Sequence, residues 1–418
     1  MIIVITTHGS TGDIFPLIGL SVMLKKAGHQ VRFATSKPFK KDIEDAGIDF
    51  YSVPPDWSQS DLANWMGKLQ TVKSPIRQLK ILYRAALPHL EESIDVMDRI
   101  LENADCLISS YLFPINGSIA KKHNVPFITY AFAHNTVPSR YYPPYGLPRL
   151  RGFPSWIQLR WNRFAWKLCN VAVDTAINQT ISRTLKKKGL PPVRDFFSKS
   201  AKLVLVAVSP SVMRPKTKLN KRFQFTGYCR WQSPEIEEID QRVTKFTEGA
   251  PTPILTFGSM VYQNPEDYIM RLLNHWPEGR KLILQTGWSG FHVPKTASNI
   301  LQIGPVSHDQ LFRHGSVIIH HGGAGTTASA LHAGKPHIVV PHIGDQDFFS
   351  SEVIRLGCGV KCLKRKWPEQ LFKKVSQVES DQRFQTNANA CLELLKNEDG
   401  PREALEQIEK FASESKAG

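Results

Sequence analysis

The feature that most constrains this chain is a short β-branched segment that runs directly into a glycine-containing turn and then into a helix. At the start of the chain, residues 2–7 predict a strand, residues 9–13 a tight polar turn, and residues 16–27 a helix with leucines at helical spacing. Residues 30–35 predict a second strand. A strand, helix and strand in this order indicate a βαβ unit and therefore a parallel sheet.

The same pattern returns in the second half of the chain. Residues 253–257 predict a strand that ends at Gly258, and further strands are predicted at 281–285, 300–303, 317–320 and 337–340. A length of 418 residues allows two to three domains. We therefore predict an α/β protein with two facing Rossmann-like domains. Ligands bind such sheets at the carboxyl ends of the strands, so we expect an interdomain cleft.

The predicted boundaries follow from a change in composition. Residues 1–228 form the predicted N-terminal domain, and residues 250–395 form the C-terminal domain. An acidic connector over 232–249 joins them. Residues 396–418 are charged and helical, and we expect this tail to pack back towards the N-terminal domain.

The positive charge of the chain is strongly localised. Net charge is +16, and residues 140–222 contain 18 Lys and Arg against two Asp, which accounts for the whole excess. Within 156–168 we expect apolar side chains on one helical face (Ile157, Trp161, Phe164, Leu168) and basic ones on another (Arg160, Arg163, Lys167). This pattern fits an interfacial helix on anionic lipid, and it fits equally an amphipathic helix packed on its own domain. No nucleic-acid-binding motif accompanies the charge, so we predict no nucleic acid partner.

The six cysteines are dispersed, with no CxxC and no zinc-like spacing. The start of the chain lacks the basic and cleavable features of a secretory leader, and no apolar run reaches the length of a membrane span. We expect reduced thiols in a cytoplasmic protein that is either soluble or peripheral at a membrane.

The most informative segment is His-His-Gly-Gly-Ala-Gly-Thr-Thr at 320–327, which follows an apolar strand and opens a helix. Glycines allow close approach of a ligand to the backbone, and the amides and dipole at a helix start attract an anion. We predict a diphosphate site made by the backbone and side chains of the following residues: His321, Gly323, Ala324, Gly325, Thr326 and Thr327. The alternative is a tight turn that only serves close packing of strand and helix.

Asp345 and Gln346 follow the next strand and are predicted at the same edge of the sheet. A carboxylate and an amide together can bind neighbouring sugar hydroxyls. The alternative is a polar helix N-cap. Asp345 and Asp347 also fit a D-x-D metal pattern, which we discount because the helix start and His321 already balance a phosphate charge. We predict no metal and no cofactor.

These residues resemble the nucleotide-sugar glycosyltransferases with two Rossmann-like domains, the GT-B type of family 1. The group that this chain resembles includes sterol glucosyltransferases and bacterial glycosyltransferases of antibiotic and lipid biosynthesis. The resemblance lies in 9–16 with 28–35, in 257–260 and in 320–346. The first domain would then bind the acceptor and the second the nucleotide sugar, and 140–222 would shape the choice of acceptor.

The resemblance implies a role for individual residues. Asp13 would be the catalytic base; the aspartate that supports a histidine base in the plant enzymes is replaced here by Ser110. Ser329 stands where plant enzymes use a glutamate for the ribose. Val306 would contact the nucleobase through its backbone, with Trp288 as a weaker candidate. Four residues would lie near the donor phosphates or the reacting centre: Ser10, Thr11, Gly12 and Ser259. Five would lie near the acceptor: Ile14, Phe15, His134, Trp156 and Trp161.

The function implied by the resemblance is inverting transfer of a hexose, most simply glucose from UDP-glucose, to a hydroxyl of a sterol or another lipophilic acceptor. A dTDP-sugar-dependent transferase of a polyketide or glycolipid pathway is an alternative. A sugar-nucleotide 2-epimerase shares the two-domain layout, and a non-catalytic nucleotide-sugar-binding protein is a third class.

Overall fold

The computed structural model describes residues 1–72, 74–144, 146–197, 201–213, 220–231 and 239–417. The chain divides into two compact units. The first comprises 1–61, 72–231 and 399–418, and the second comprises 62–71 and 232–398. The first part of the predicted acidic connector, 232–238, lies outside the described residues.

The first unit is built on a seven-stranded parallel sheet of order β3-β2-β1-β4-β5-β6-β7. The central strand carries Ile3, Val4 and Ile5, all without exposed surface, because a parallel sheet is covered on both faces. Its strands are β1 (Ile2–Thr6), β2 (Gln30–Thr35), β3 (Asp49–Ser52), β4 (Cys106–Ser110), β5 (Phe127–Ala131), β6 (Leu203–Val206) and β7 (Phe223–Phe225).

Helices occupy the connections between these strands. They are α1 (Thr11–Lys26), α2 (Lys40–Asp45), α3 (Gln59–Gln70), α4 (Pro75–Ala86), α5 (Leu90–Ile100), α6 (Ile115–Lys122) and α7 (Ser155–Lys187). Short 3₁₀ turns lie at Lys37–Phe39, Leu87–His89 and His134–Thr136. From residue 62 onwards, α3 groups with the second unit, where Met66 packs on the core.

The second unit has a six-stranded parallel sheet. Its helices and strands are α8 (Ile239–Thr247), β8 (Thr252–Thr256), α9 (Pro265–His275), β9 (Leu282–Gln285), β10 (Ile300–Ile303), α10 (His308–Phe312), β11 (Gly315–His320), α11 (Ala324–His332), β12 (His337–Val339), α12 (Gln346–Arg355), β13 (Gly359–Lys361), α13 (Trp367–Ser380) and α14 (Gln382–Leu395). The strand order is β10-β9-β8-β11-β12-β13. The order therefore reverses between β8 and β11, as in the Rossmann arrangement.

The last helix, α15 (Gly400–Ala417), belongs to the first unit and packs on α1. His29 contacts Glu409 of this helix at 3.0 Å. Within the residues that the structure describes, no helix has both the length and the apolar composition that crossing a bilayer requires.

Two local predictions need correction. Helix α1 begins at Thr11 rather than at residue 16, so Asp13 lies in its first turn and not in a preceding turn. Ser10 is the N-cap and its backbone amide donates to the Asp13 carboxylate, a Ser-x-x-Asp signature that the sequence already contains.

The second correction concerns α7. Phe164 and Leu168 are exposed rather than packed on the domain, whereas Ala165 and Trp166 are buried. Phe164 and Leu168 therefore share one outward side of the helix with the basic residues, whereas Ile157 and Trp161 are half-buried.

Candidate active site

The candidate site of the second unit lies at the point where its sheet reverses order. The chain leaves β8 at Gly258 and Ser259, and it leaves the neighbouring strand β11 at His321. Residues 322–323 then lead into α11. Because parallel strands end at the same edge, the two predicted phosphate-binding segments are brought together.

His321 occupies a slot between two glycines. A Cβ built on Gly323 would stand 2.4 Å from the His321 Nε2 atom, and one built on Gly258 would stand 3.0 Å from its Cε1 atom. Gly258 also has a φ of +55°, which disfavours other residues. The glycines therefore let an imidazole ring lie directly against the backbone at both strand ends.

The His321 ring is held in its neutral form. Only 7% of the residue is exposed, and burial, with a smaller effect of His308, lowers its pKa to about 3. Its Nδ1 atom has no hydrogen-bond partner among the described residues. A buried polar nitrogen without a partner is costly, and a bound ligand would supply one.

The start of α11 adds a second set of donors. Its N-cap is Gly323, and no side chain caps the helix. The first amides of the helix and its dipole are therefore available to an anion. Ala324 is half-buried and Gly325 is exposed, so the start of α11 can present its backbone to a ligand.

The two threonines in the first turn of α11 face the interior. Thr326 is 7% exposed and Thr327 is fully buried. The Thr327 hydroxyl has no hydrogen-bond partner within the described part of the chain. The predicted contact of these hydroxyls with a phosphate would require access to two buried side chains.

Two buried histidines, His320 and His337, support the segment between β11 and α11. The Gly322 amide donates to His320 Nδ1 at 3.1 Å, so we assign the proton of that ring to Nε2. Nε2 then donates to His337 Nδ1 at 3.0 Å. Sequence reasoning missed this pair, because only the pairing of β11 with β12 brings the two rings together.

The loop after β12 is organised by Gln346. This residue is 4% exposed, and its Oε1 accepts from the amides of His342 and Ile343 at 2.7 and 3.1 Å. Its Nε2 lies 3.3 Å from the sulfur of Met260, which follows β8. The Gln346 amide is therefore committed to shaping the loop, whereas Asp345 is half-buried at the N-cap of α12.

The predicted nucleobase segment lies beyond β10. Val306 is 8% exposed, and its carbonyl accepts from Gln285 Nε2 at 3.0 Å. Gln285 Oε1 in turn accepts from the Thr256 hydroxyl at 2.7 Å. The backbone amide of half-buried Trp288 donates to the Gly258 carbonyl at 2.8 Å. Side-chain and backbone hydrogen bonds thus tie the exits of β8, β9 and β10 together.

In the first unit, Asp13 is held at the start of α1. Its Oδ2 accepts from the Ser10 amide at 2.9 Å and from the Ser10 hydroxyl at 3.1 Å. Burial raises the pKa of this carboxyl above its ordinary value, although the bonds from Ser10 act in the opposite direction. A raised pKa makes the carboxylate a stronger base. Thr11 and Gly12 are exposed beside it.

His8 lies near the reversal point of the first sheet, between β1 and β4. Burial lowers its pKa to about 4, against a smaller opposing effect of Asp56. Its Nδ1 lies 3.0 Å from the Ser36 hydroxyl, and its ring packs at 5.3 Å from Phe113. Ser110 is buried at the end of β4. No histidine–aspartate pair of the plant type is present at these positions.

The predicted acceptor contacts are not all available to a ligand. Ile14 has no exposed surface, because its side chain belongs to the core, so it cannot contact an acceptor as placed. His134 is 6% exposed and lies 6.1 Å from the ring of Phe225. Phe15 is half-buried against Trp231.

The two tryptophans of α7 differ from one another. Trp156 is 59% exposed, whereas Trp161 is half-buried and donates through Nε1 to the Pro148 carbonyl at 3.0 Å.

Comparison with known proteins gives the class. Residues 3–110 match the model of the glycosyltransferase family 28 N-terminal domain, and residues 289–411 match that of the erythromycin biosynthesis protein CIII-like C-terminal domain. The solved glycosyltransferase SsfS6 of Streptomyces sp. SF2575, complexed with thymidine diphosphate, shares the fold. It matches with a TM-score of 0.62 and 17% identity over 98% of this chain and 99% of that one. The two matched domains and the shared fold show that the chain has the two-domain GT-B fold of these glycosyltransferases.

Two relatives are similar to this chain in sequence. It is 28% identical to the sterol 3-beta-glucosyltransferase of Pichia angusta over 96% of this chain, although it spans only 33% of that protein's length. It is also 28% identical to the vancomycin aglycone glucosyltransferase of Amycolatopsis orientalis, over 86% of this chain and 85% of that protein. These matches confirm the predicted resemblance and the fold class.

Proposed function

We propose that this chain transfers a hexose, most simply glucose from UDP-glucose, to a hydroxyl of a sterol or another lipophilic acceptor. The names of two relatives support glucose as the transferred sugar, and one of them supports a sterol as the acceptor. The observation that carries the proposal is the His321 slot beside the uncapped start of α11. A neutral ring nitrogen without a partner and a row of free amides are what a nucleoside diphosphate needs.

The proposed reaction is a single displacement with inversion. As the acceptor oxygen bonds to the anomeric carbon, its proton passes to the Asp13 carboxylate and the bond from that carbon to the diphosphate oxygen breaks. A positioned base of this kind contributes about 10²- to 10⁴-fold. Asp13 suits the role because burial raises its pKa while Ser10 keeps its Oδ2 oriented.

The departing nucleoside diphosphate gains negative charge during this step. His321 Nδ1–H and the first amides of α11 would donate to it, and each preorganised donor of this type contributes about 3–4 kcal/mol in other enzymes. The chain thus supplies the donors itself, and the proposal includes neither a metal nor a cofactor. Gln346, which holds the loop after β12, would position Asp345 for the sugar.

A dTDP-sugar donor is the second candidate. It is favoured by the thymidine diphosphate bound to the Streptomyces glycosyltransferase of the same fold. The proposed backbone contact at Val306 would reach groups that uracil and thymine share. Competition between UDP and dTDP in a calorimetric titration decides between the two donors, because the nucleotide that is used should bind more tightly.

The test of the function is incubation with a radiolabelled UDP-sugar or dTDP-sugar and a panel of sterols and lipid alcohols. Label in the organic phase, with the anomeric configuration inverted, supports transfer. An altered sugar released without an acceptor would point instead to the 2-epimerase alternative. Binding of nucleotide without any turnover would point to a non-catalytic role. We also propose that the protein acts in the cytoplasm, where a lipophilic acceptor would be reached at a membrane surface.

A further inference from the structure

One surface of the first unit has no role in the chemistry described above. It consists of residues 140–153 and the first half of α7, to residue 171, and we call it the α7 platform. Four side chains of α7 hold the preceding segment in place by donating to its carbonyl groups. These bonds join Asn162 to Arg140 (3.1 Å), Trp166 to Tyr142 (2.9 Å), Trp161 to Pro148 (3.0 Å) and Gln158 to Phe153 (2.7 Å). The platform is therefore a preformed surface within the described residues, which here omit 145.

The platform exposes large apolar side chains. On α7 the exposed fractions are 59% for Trp156, 56% for Phe164, 53% for Leu168 and 62% for Val171. Phe153, just before the helix, is 53% exposed. The spacing of three, four and eight residues puts the helical members on one side of α7. Such a cluster on a water-facing surface indicates an interaction site.

Basic side chains lie on the same side of the helix. Arg160, Arg163 and Lys167 are exposed between the apolar residues. The guanidinium of Arg160 lies 5.7 Å from the Trp156 ring. Residues 140–171 contain six Lys and Arg and no Asp or Glu.

The residues that the structure describes do not neutralise the charge of the platform. None of its six basic side chains pairs with a carboxylate in the part of the chain that the structure describes. The end of the same helix differs, because Lys187 contacts Glu91 at 2.5 Å and Lys188 contacts Asp95 at 2.6 Å. The unpaired positive charge is thus concentrated where the apolar side chains are exposed.

We infer that the α7 platform docks on the surface of an anionic lipid bilayer. The apolar side chains would enter the boundary between headgroups and acyl chains, and the basic side chains would bind lipid phosphates. A second copy of the chain is a poorer fit, since two like-charged platforms would face each other. The inference deepens the proposed function, because a lipophilic acceptor resides in such a bilayer.

The test compares two variants in vesicle co-sedimentation. Vesicles of phosphatidylcholine, with or without phosphatidylglycerol, are mixed with the full chain at low and high sodium chloride. One variant removes charge: Arg160→Gln, Arg163→Gln, Lys167→Gln. The other removes apolar surface: Phe164→Ser, Leu168→Ser, Val171→Ser. All six side chains are exposed, so both variants should fold.

We expect the wild type to bind only the vesicles that contain phosphatidylglycerol. Loss of three charges should weaken binding about a hundredfold, since each contributes about fivefold near an anionic leaflet. Loss of the three apolar side chains should weaken vesicle binding about ten- to a hundredfold. High salt should weaken wild-type binding, because it shortens the Debye length from about 10 Å at 0.1 M to about 3 Å at 1 M.

Two matched controls make the same chemical changes elsewhere on exposed positions and should bind vesicles like the wild type. They are Lys245→Gln, Lys373→Gln, Lys410→Gln for charge and Met270→Ser, Ile354→Ser, Leu394→Ser for apolar surface. Equal losses in platform and control variants would overturn the inference. So would a platform variant that keeps vesicle binding but changes oligomeric state in sedimentation velocity, because the platform would then be a contact between copies.

Transfer to a detergent-dispersed acceptor separates this inference from the proposed function. The platform variants should keep that activity while losing vesicle binding. If neither the wild type nor any variant transfers sugar to an acceptor, the proposed function fails. The vesicle measurement then still decides whether the α7 platform binds an anionic bilayer.

Discussion

The role of the close packing between His321 and Gly323 can be tested by adding one methyl group to the glycine. In Gly323→Ala the new Cβ would stand 2.4 Å from the ring nitrogen, whereas ordinary contact begins near 3.4 Å. The ring must therefore shift by about 1 Å. It cannot simply move away, because its other side already lies against Gly258. The change adds volume to a packed site, which usually costs about 1–3 kcal/mol of unfolding free energy.

The larger effect should fall on the donor. A displacement of about 1 Å in a group that contacts the reacting region can lower activity about 10²-fold. We expect Gly323→Ala to weaken UDP binding at least about tenfold and to lower kcat/KM by about 10²-fold. Calorimetric titration measures the first quantity and initial rates of transfer measure the second.

Gly325→Ala is the matched control. It lies two residues further along, in the first turn of α11, and a Cβ there meets nothing within 4 Å. Alanine is a better helix residue than glycine by about 0.5–1 kcal/mol, so this variant should be as stable as the wild type or more stable. Equal UDP affinities in the wild type, Gly323→Ala and Gly325→Ala would refute the assignment of His321 to the donor phosphate.

Three further predictions follow from buried or strained groups. Asp13→Asn should lower kcat by about 10²- to 10⁴-fold in transfer assays, while calorimetry finds near wild-type affinity for UDP; substantial retained activity would exclude Asp13 as the base. Gly9→Ala should lower kcat about tenfold or more, because its Cβ would stand 2.3 Å from Asp13 Oδ2 at a φ of +142°, whereas Gly12→Ala, with its nearest contact at 3.6 Å, should not. His337 binds a proton only near pH 3 in the folded chain but near 6.5 when unfolded, so stability is lost as pH falls between these values. Between pH 7 and pH 5, the free energy of unfolding measured in urea should therefore fall by about 2 kcal/mol less in His337→Asn than in the wild type. An identical fall in both proteins would contradict a neutral buried ring.

Much of the architecture was predictable because its signals are local. An apolar run followed by glycine and a helical repeat predicts a strand, turn and helix from fewer than thirty neighbouring residues. The seven strands predicted at 2–7, 30–35, 253–257, 281–285, 300–303, 317–320 and 337–340 match observed strands to within two residues, whereas β3 and β13 were not predicted. The glycines of 322–325 likewise indicate a helix start open to an anion, since that property resides in the backbone itself.

The start of α1 at Thr11 was also encoded locally, through Ser10 and Asp13, although the predicted helix began only at residue 16. A proline within a helix removes one backbone hydrogen bond and crowds the preceding turn. A first turn with a good N-cap can still form before it, as in α1.

The sequence by itself determined most of the strands and helices and the glycine-rich segment before α11, because each depends on residues close together in the chain. Only the tertiary structure decided that His337 supports His320, that Gln346 is committed to its own loop, and that Phe164 faces outward beside Arg160. Each of these outcomes depends on which strand or helix lies alongside. A side chain's partners and exposure are set by surfaces brought together from distant parts of the chain, and spacing along one helix or strand carries no record of them.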